Sequence, residues 1–391
     1  MVDKKAPEIA VVEAPDNRGS ISQLAVFFLR LGTTAFGGPA AHIAIMEDEL
    51  VRRRRWLSRE KFLDLLGASN LIPGPSSSEL AIHIGYLQAG WRGLLVAGCC
   101  FILPAALMVS VLAWLYVHYG RLPAVSAILY GVKPVVIAVI WQALWGLGRT
   151  AVKTPFLGLV GIFSVVLAFL GLHPLLVLLL AGCTAGLVTL AKTDICIAAF
   201  RLRALPLFGL AGATTVSLGS LFLVFLKMGM IVFGSGYVLL AFLHSDLVAR
   251  LGWLTDSQLV DAVAVGQITP GPVFTTATFI GYLLGGIRGA VVATVAVFLP
   301  AFLLVAASGP LIPRIRKSKT AGTFLDGVNV GSLALMVQVS WQLGRASLVD
   351  AVTIVLALAS IFFLLRLRLN SVWLILAGAV AGFAAQAIHR V

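Results

Sequence analysis

Two short turns carry the chemistry this sequence offers. Pro73-Gly74-Pro75 is followed by Ser76, Ser77 and Ser78, and Pro270-Gly271-Pro272 by Thr275 and Thr276. Asn70 and Gln267 stand just ahead of the two turns. Proline removes a backbone donor and glycine frees the chain, so a helix breaks at each place. A helix restarting there offers unpaired amides, hydroxyls and the positive end of its dipole, which together suit an anion. Ser76-x-x-Glu79 also fits a capping box, which would make Ser76 a helix cap and nothing more. A second pair of breaks, Gly37-Gly38-Pro39 and Gly234-Ser235-Gly236, interrupts the apolar stretch ahead of each turn.

Three basic side chains, Arg30, Lys133 and Lys227, lie within apolar stretches. A charge at the centre of a membrane helix costs at least about 2.5–3.5 kcal/mol, so each needs a partner or a task. Arg30 and Lys227 take matching places ahead of the glycine breaks and are expected to serve as two cations for one dianion. Snorkelling, or pairing with Glu79, Asp64 or Asp261, is the structural alternative. Lys133 matches Asn329 and is expected to tune one side only. Glu79 is the one carboxylate deep in a helix that follows a break, a candidate for proton coupling, although its counterpart Thr276 cannot titrate. The expected substrate-binding set is Arg30, Gly37, Gly38, Asn70, Gly74, Ser76, Ser77, Lys227, Gly234, Ser235, Gln267, Gly271, Thr275 and Thr276, with Glu79 and Lys133 for coupling or tuning. His42, His83, His118 and His173 stand alone without metal-ligand spacing, and no metal site is expected.

These residues recur because the chain repeats itself. Residues near 24–149 match those near 221–345 at an offset of 197, then 196. Trp56-Leu57 matches Trp253-Leu254, Asp64 matches Asp261, and Ile84-Gly85-Tyr86-Leu87 matches Ile280-Gly281-Tyr282-Leu283. The surrounding composition is that of a membrane protein: 391 residues, 60% hydrophobic and 12% charged, with long uncharged runs such as 93–117. Such runs lack the alternating polarity of a barrel, so helices are expected.

The basic loops orient the two halves. Arg52 to Arg55, Arg59 and Lys61 crowd one loop of the first half, whereas the equivalent loop of the second has only Arg250 against Asp246 and Asp256. The bias reverses at the next loop, where Arg314, Arg316, Lys317 and Lys319 oppose a lone Arg121. Equivalent loops of opposite bias imply inverted repeats. The expected fold is an all-α polytopic membrane protein with ten spans, five per repeat, plus one re-entrant helical hairpin in each. The spans fall near 21–46, 94–117, 124–148, 155–171 and 174–190, then 217–243, 290–309, 322–344, 350–365 and 372–388. The hairpins fall at 62–90 and 258–286. The organisation is a polar tail at 1–20, a first repeat at 21–190, a cytoplasmic linker at 191–213 and a second repeat at 214–391. The N-terminus is expected outside and the linker inside a bacterial inner membrane.

Net charge is +13, and topology accounts for it better than nucleic acid does, because the positive residues collect in loops. The four cysteines have no Cys-x-x-Cys spacing, and Gly234-x-Gly236 follows no strand, so neither a redox cofactor nor a nucleotide is expected. Transport rather than enzymatic catalysis is the expected activity, with the lipid bilayer and a small oxyanion as partners and a homodimer left open.

Phe36-Gly37-Gly38-Pro39, Asn70-x-x-Pro73-Gly74-Pro75, Ile84-Gly85-Tyr86-Leu87, and the Phe233-Gly234-Ser235-Gly236 and Gln267-x-x-Pro270-Gly271-Pro272 of the second half resemble the chromate ion transporter family, in its long two-domain ChrA-type form. The resemblance runs from about residue 20 to residue 390. It implies export of chromate from the cytoplasm and chromate resistance, with sulfate as the natural look-alike. The residues by themselves reach an inverted-repeat transporter with anion-friendly breaks, driven by membrane potential or a proton gradient.

Overall fold

The computed structural model describes residues 19–70, 72–120, 122–192, 216–232, 236–308, 319–367 and 369–389. Among them every regular element is a helix. The first repeat contains α1 (Ile21–Thr34), α2 (Gly38–Glu47) continued by a π-helical turn (Asp48–Arg53), α3 (Arg59–Ser69), α4 (Ser76–Tyr119), α5 (Pro123–Ala151), α6 (Pro155–Phe169) and α7 (Pro174–Lys192). The second contains α8 (Leu218–Ile231), α9 (Leu239–Leu243) with its π-helical turn (His244–Arg250), α10 (Asp256–Ile268), α11 (Thr276–Ser308), α12 (Lys319–Ser347), α13 (Ala351–Arg366) and α14 (Ser371–His389). Apart from residues 191 and 192, which end α7, the expected linker lies outside the described residues.

Several helices reverse where hydropathy alone suggests a straight run. The 44 residues of α4 would reach about 66 Å in one piece, roughly twice the hydrocarbon thickness of a bilayer. Gly90, at φ 58°, folds it back into two legs. Gly85 and Gly93 then face each other too closely for a Cβ on either. In α11 the same reversal falls at Gly285 and Gly286, with Gly281 against Gly289. Gln88, closing the first leg of α4, accepts from the Gly19 amide at 3.2 Å and donates to the Trp56 carbonyl at 3.3 Å. The start of α1, the chain after α2 and the end of this leg therefore meet at one level. Two hairpins stand side by side: α1 with α2, and α3 with the first leg of α4.

The second repeat is built alike. Lys227 of α8 and Asp246 after α9 lie 2.8 Å apart, whereas a straight helix would separate residues 19 positions apart by about 28 Å. The segments 21–46 and 217–243, expected as first spans, therefore fold back on themselves and do not run as single straight helices. Their length and apolarity suit a span, but Gly37, left-handed at φ 106°, turns the first of them. The hairpins expected at 62–90 and 258–286 are present. Among the described residues three helical stretches, Ser76–Tyr119, Pro123–Ala151 and Val273–Ala307, are long and apolar enough to cross a membrane, and the other apolar helices are shorter.

The repeats exchange contacts about a pseudo-twofold. Gly131 of α5 packs against Gly378 and Gly382 of α14, as its mate Gly327 of α12 packs against Ala181 of α7. Along the second interface Phe324 meets Gly182 and Gly186, while Gly331 meets Leu178, so α12 and α7 run in opposite directions. With α6 returning between them, α5 and α7 run the same way, so α12 opposes its own mate α5. The second legs of α4 and α11, also mates, pack together with Gly98 under Phe302. The chain is an all-α polytopic membrane protein with inverted repeats, as the loop charges imply.

Candidate functional site

The four breaks come together between the repeats. Helix α1 ends at Ala35, whose extended backbone leaves its carbonyl pointing out of the helix. Helix α8 ends in the same way at Val232. The Gly271 amide donates to the Ala35 carbonyl at 3.1 Å, and the Gly74 amide donates to the Val232 carbonyl at 2.7 Å. Each repeat's Pro-Gly-Pro turn thus closes on the broken helix of the other. These two amides are committed to holding the tips together and are not open to a ligand. Both glycines are left-handed, at φ 139° and 93°. Gly271 fits only without a side chain, because a Cβ there would strike Ala105 and crowd the Gly32 carbonyl.

What remains for an anion is the first turn of α4. Pro75 precedes the helix and makes no side-chain cap, so Ser76 and Glu79 do not form a capping box. Ser76, Ser77, Ser78 and Glu79 are all buried there. The amides of Ser78 and Glu79 donate to the Pro75 carbonyl at 2.8 and 3.0 Å, closing the turn without a side-chain cap. The Ser77 hydroxyl lies 3.4 Å from His42 Nδ1, whose Nε2 lies 3.1 Å from the Ala35 carbonyl. His42 therefore ties the tip of α1 to the start of α4. Among the described residues the Ser78 hydroxyl and both Glu79 carboxyl oxygens have no hydrogen-bond partner. The Glu79 carboxyl leans onto the turn, where a Cβ on Gly74 would strike it. In the second repeat Thr275 and Thr276 turn inward and donate to the carbonyls of Pro272 and Val273, both at 2.8 Å. Gln267 is buried at the end of α10, whereas Asn70 is exposed at the end of α3. Gly37 is exposed and Gly38 buried at the α1 tip. Gly234 and Ser235 lie outside the described residues.

The three basic residues are placed differently from one another. Arg30 is exposed on α1 beside Leu29 and Thr33, with no carboxylate within 4 Å among the described residues. Its mate Lys227 is bound by Asp246, which is 1% exposed and also holds Arg250 at 3.2 Å. This cluster faces the turn before α7, where burial and the nearby Lys227 hold His173 below its ordinary pKa. Lys133 reaches Asp261 at 3.2 Å and Ser257 at 2.7 Å, and Asp261 also accepts from the Tyr116 hydroxyl at 2.9 Å. A cavity of about 310 Å³ opens beside that network, lined in part by Tyr130 and Ser347. Among the described residues no group of three or more His, Cys, Asp and Glu could hold a metal ion.

Sequence reasoning missed Asp246 and the bridging role of His42, and it named Ser78 among the hydroxyls after the turn without placing it in the binding set. A signal existed for Asp246: at the same offset Glu49 and Arg53 match Asp246 and Arg250, and Arg53 lies 3.8 Å from Glu49. His42 had none, because its mate is Leu239 and the repeat draws no attention to it.

Residues 22–187 and 219–383 both match the family model described as Chromate transporter. The chain is 36% identical over 375 residues to the "Probable chromate transport protein" of Synechococcus elongatus, covering 93% of this chain and 95% of that one. It is 35% identical over 373 residues to the "Chromate transport protein" of Cupriavidus metallidurans, covering 92% of each. The "Uncharacterized transporter YwrA" of Bacillus subtilis is 28% identical over 173 residues, which are 43% of this chain but 97% of that protein, so a single repeat occurs as a chain of its own. No solved structure matches the chain.

Proposed function

The chain belongs to the chromate transporter family, and on that premise we propose that it exports chromate from the cytoplasm by alternating access, with the dianion held at the first turn of α4. The observation that carries this reading is the crossed pair of tip bonds, Gly74 to Val232 and Gly271 to Ala35. They set an uncapped helix start beside the meeting point of two inverted repeats, the arrangement in which such transporters hold substrate. Ser76, Ser77 and Ser78 supply hydroxyls, and the helix dipole supplies positive potential. Arg30 adds a cation with no carboxylate within 4 Å among the described residues, while Lys227 acts from within its cluster with Asp246 and Arg250. Glu79 sits where the anion binds, and a carboxylate and a dianion repel each other in a dry site. The neutral acid is the form that admits substrate, so occupancy by the anion and by a proton are linked.

Orientation follows from charge. Arg52 to Arg55, Arg59 and Lys61 belong in the cytoplasm. The meeting of Gly19, Trp56 and Gln88 supports placing the start of α1 on that side too. This replaces an external N-terminus, which required α1 and α2 to cross as one span. Export then runs with the field: moving one charge is worth about 2.3 kcal/mol per 100 mV, and an outward dianion gains about twice that.

Radiolabelled chromate uptake into everted vesicles, competed with sulfate, molybdate and phosphate, tests the substrate. The expected result is saturable chromate uptake that sulfate inhibits only weakly. Uptake equal to that of vesicles lacking the protein, or sulfate carried in preference, overturns the assignment.

A further inference from the structure

One acid at the start of α4 has nothing to hold. Glu79 is wholly buried, and among the described residues neither of its carboxyl oxygens has a hydrogen-bond partner. The carboxyl leans over the Pro-Gly-Pro turn at Gly74, whose missing side chain makes room for it. The buried Ser78 hydroxyl beside it has no partner among the described residues either. The nearby histidines do not bond this carboxyl. His42 joins Ser77 to the Ala35 carbonyl, and His83 Nδ1 lies 3.1 Å from the Glu79 backbone carbonyl and 3.5 Å from the Ser69 hydroxyl. On the helices packed against α4, Arg30 of α1, Arg288 of α11 and the four charged residues of α3 are exposed. Glu47 of α2 meets Arg59, and Asp261 of α10 meets Lys133. Glu79 therefore has no counter-ion among the described residues.

A buried carboxylate without a partner is costly, and a second anion beside it costs more, so a proton belongs in this site whenever an oxyanion occupies it. Glu79 can carry that proton and donate it, or accept a hydrogen bond from an oxyanion that brings its own. Either way one proton lies between two oxygens, in a bond of the strong, charge-assisted kind. The strength of that bond follows the readiness of the oxyanion to take a proton. Chromate and phosphate take one close to neutral pH. Sulfate and selenate do so only in strong acid, so they accept from Glu79 weakly and bring no proton of their own. The mate position, Thr276, donates to the Val273 carbonyl at 2.8 Å, and its proton is committed there.

We infer that Glu79 is the specificity-determining residue of the site and selects tetrahedral oxyanions by their basicity, holding those that share a proton with its carboxyl and passing over weak bases of the same shape. The inference rests on the anion site proposed above at the start of α4. It gives that site a way to tell chromate from sulfate that shape and charge do not provide, since both are tetrahedral dianions. The serine hydroxyls and the helix dipole act on every such anion alike and set affinity. Glu79 sets preference, because a weak base leaves its carboxyl poorly paired and the wrong ligand carries that penalty.

The test is displacement of radiolabelled chromate from the purified full chain in lipid nanodiscs, at neutral pH, by selenate, sulfate and phosphate. Chromate and selenate match in charge and nearly in size, so their comparison isolates basicity and needs no variant. Selenate is expected to displace the label about tenfold or more less well than unlabelled chromate, since a hydrogen bond to a charged group is worth at least one decade in an equilibrium. Sulfate is expected to fall behind phosphate in the same way. Glu79→Gln, which can neither give up nor take a proton, is expected to close most of both gaps. Glu79→Asp keeps the acid and is expected to keep the preference. Equal displacement by chromate and selenate in the unaltered chain overturns the inference while leaving the anion site standing. A preference undiminished in Glu79→Gln overturns the role of Glu79. Absence of chromate binding to the unaltered chain overturns the anion site itself, and this inference with it.

Discussion

Asp246 sets the clearest quantitative expectation. It is 1% exposed, accepts from Lys227 at 2.8 and 3.1 Å, and meets Arg250 at 3.2 Å. At an effective dielectric of about 20 the attraction of one unit pair at that shorter distance is about 6 kcal/mol, most of it offset by desolvation. Removing the carboxylate leaves two cations facing each other, one of them with a side chain only 25% exposed. Losing one partner of a buried pair typically destabilises by about 3–5 kcal/mol. Asp246→Ala is therefore expected to lower the thermal midpoint of the purified chain by several degrees, read by tryptophan emission. Lys227→Ala/Asp246→Ala should fall short of the summed single effects by about 1–3 kcal/mol, the coupling expected of residues in direct contact. Additive losses, or a silent Asp246→Ala, would show that Lys227 is not spent on Asp246, and the division of labour between Lys227 and Arg30 would collapse.

Arg30→Ala is expected to abolish transport while shifting stability by no more than about 0.5 kcal/mol, as an exposed residue with no carboxylate partner among the described residues should. Normal chromate flux in that variant would remove Arg30 from the site. Gly271→Ala forces a side chain into a left-handed turn against Ala105, with backbone strain of about 1–3 kcal/mol, and should lose transport together with stability. Full activity in Gly271→Ala would mean the crossed tips are dispensable. Asp350 caps α13, and hydrogen bonds from the Tyr130 hydroxyl and the Thr353 amide hold its carboxyl below the usual carboxylate range. A depressed folded-state pKa contributes stability above the unfolded value and loses it as pH falls through the folded value. Asp350→Ala should therefore lower the thermal midpoint at neutral pH and lose that effect at strongly acidic pH, and a deficit that persists in acid would refute the cap as its source.

Much of the architecture was legible in the sequence because the repeat and the loop charges are local in cause. Opposite bias in equivalent loops pointed to inversion, and the antiparallel mates α5 and α12 agree with it. The Pro-Gly-Pro turns were legible because proline and glycine act on their own backbone. The reversals were harder. An apolar run such as 21–46 is equally stable as one span or as a folded pair, and only Gly37 with Gly38 marked the difference. The composition of the run alone does not distinguish a kink inside a span from a full turn there. Partner choice was harder still, because the carboxylate that binds Lys227 comes from beyond a reversal the sequence did not declare. Symmetry also misled where side chains diverge: Arg30 and Lys227 share a position in the repeat, yet one is exposed and the other bound.

Transport of a dianion between two inverted halves, powered by the field across the membrane, is the central claim. Its most direct measurement is chromate flux into everted vesicles with the membrane potential and the proton gradient collapsed separately. The account predicts that collapsing the potential removes most of the uptake, and that Glu79→Gln abolishes whatever pH dependence is left. Uptake indifferent to potential, with the pH dependence intact in Glu79→Gln, would contradict both the driving force and the site.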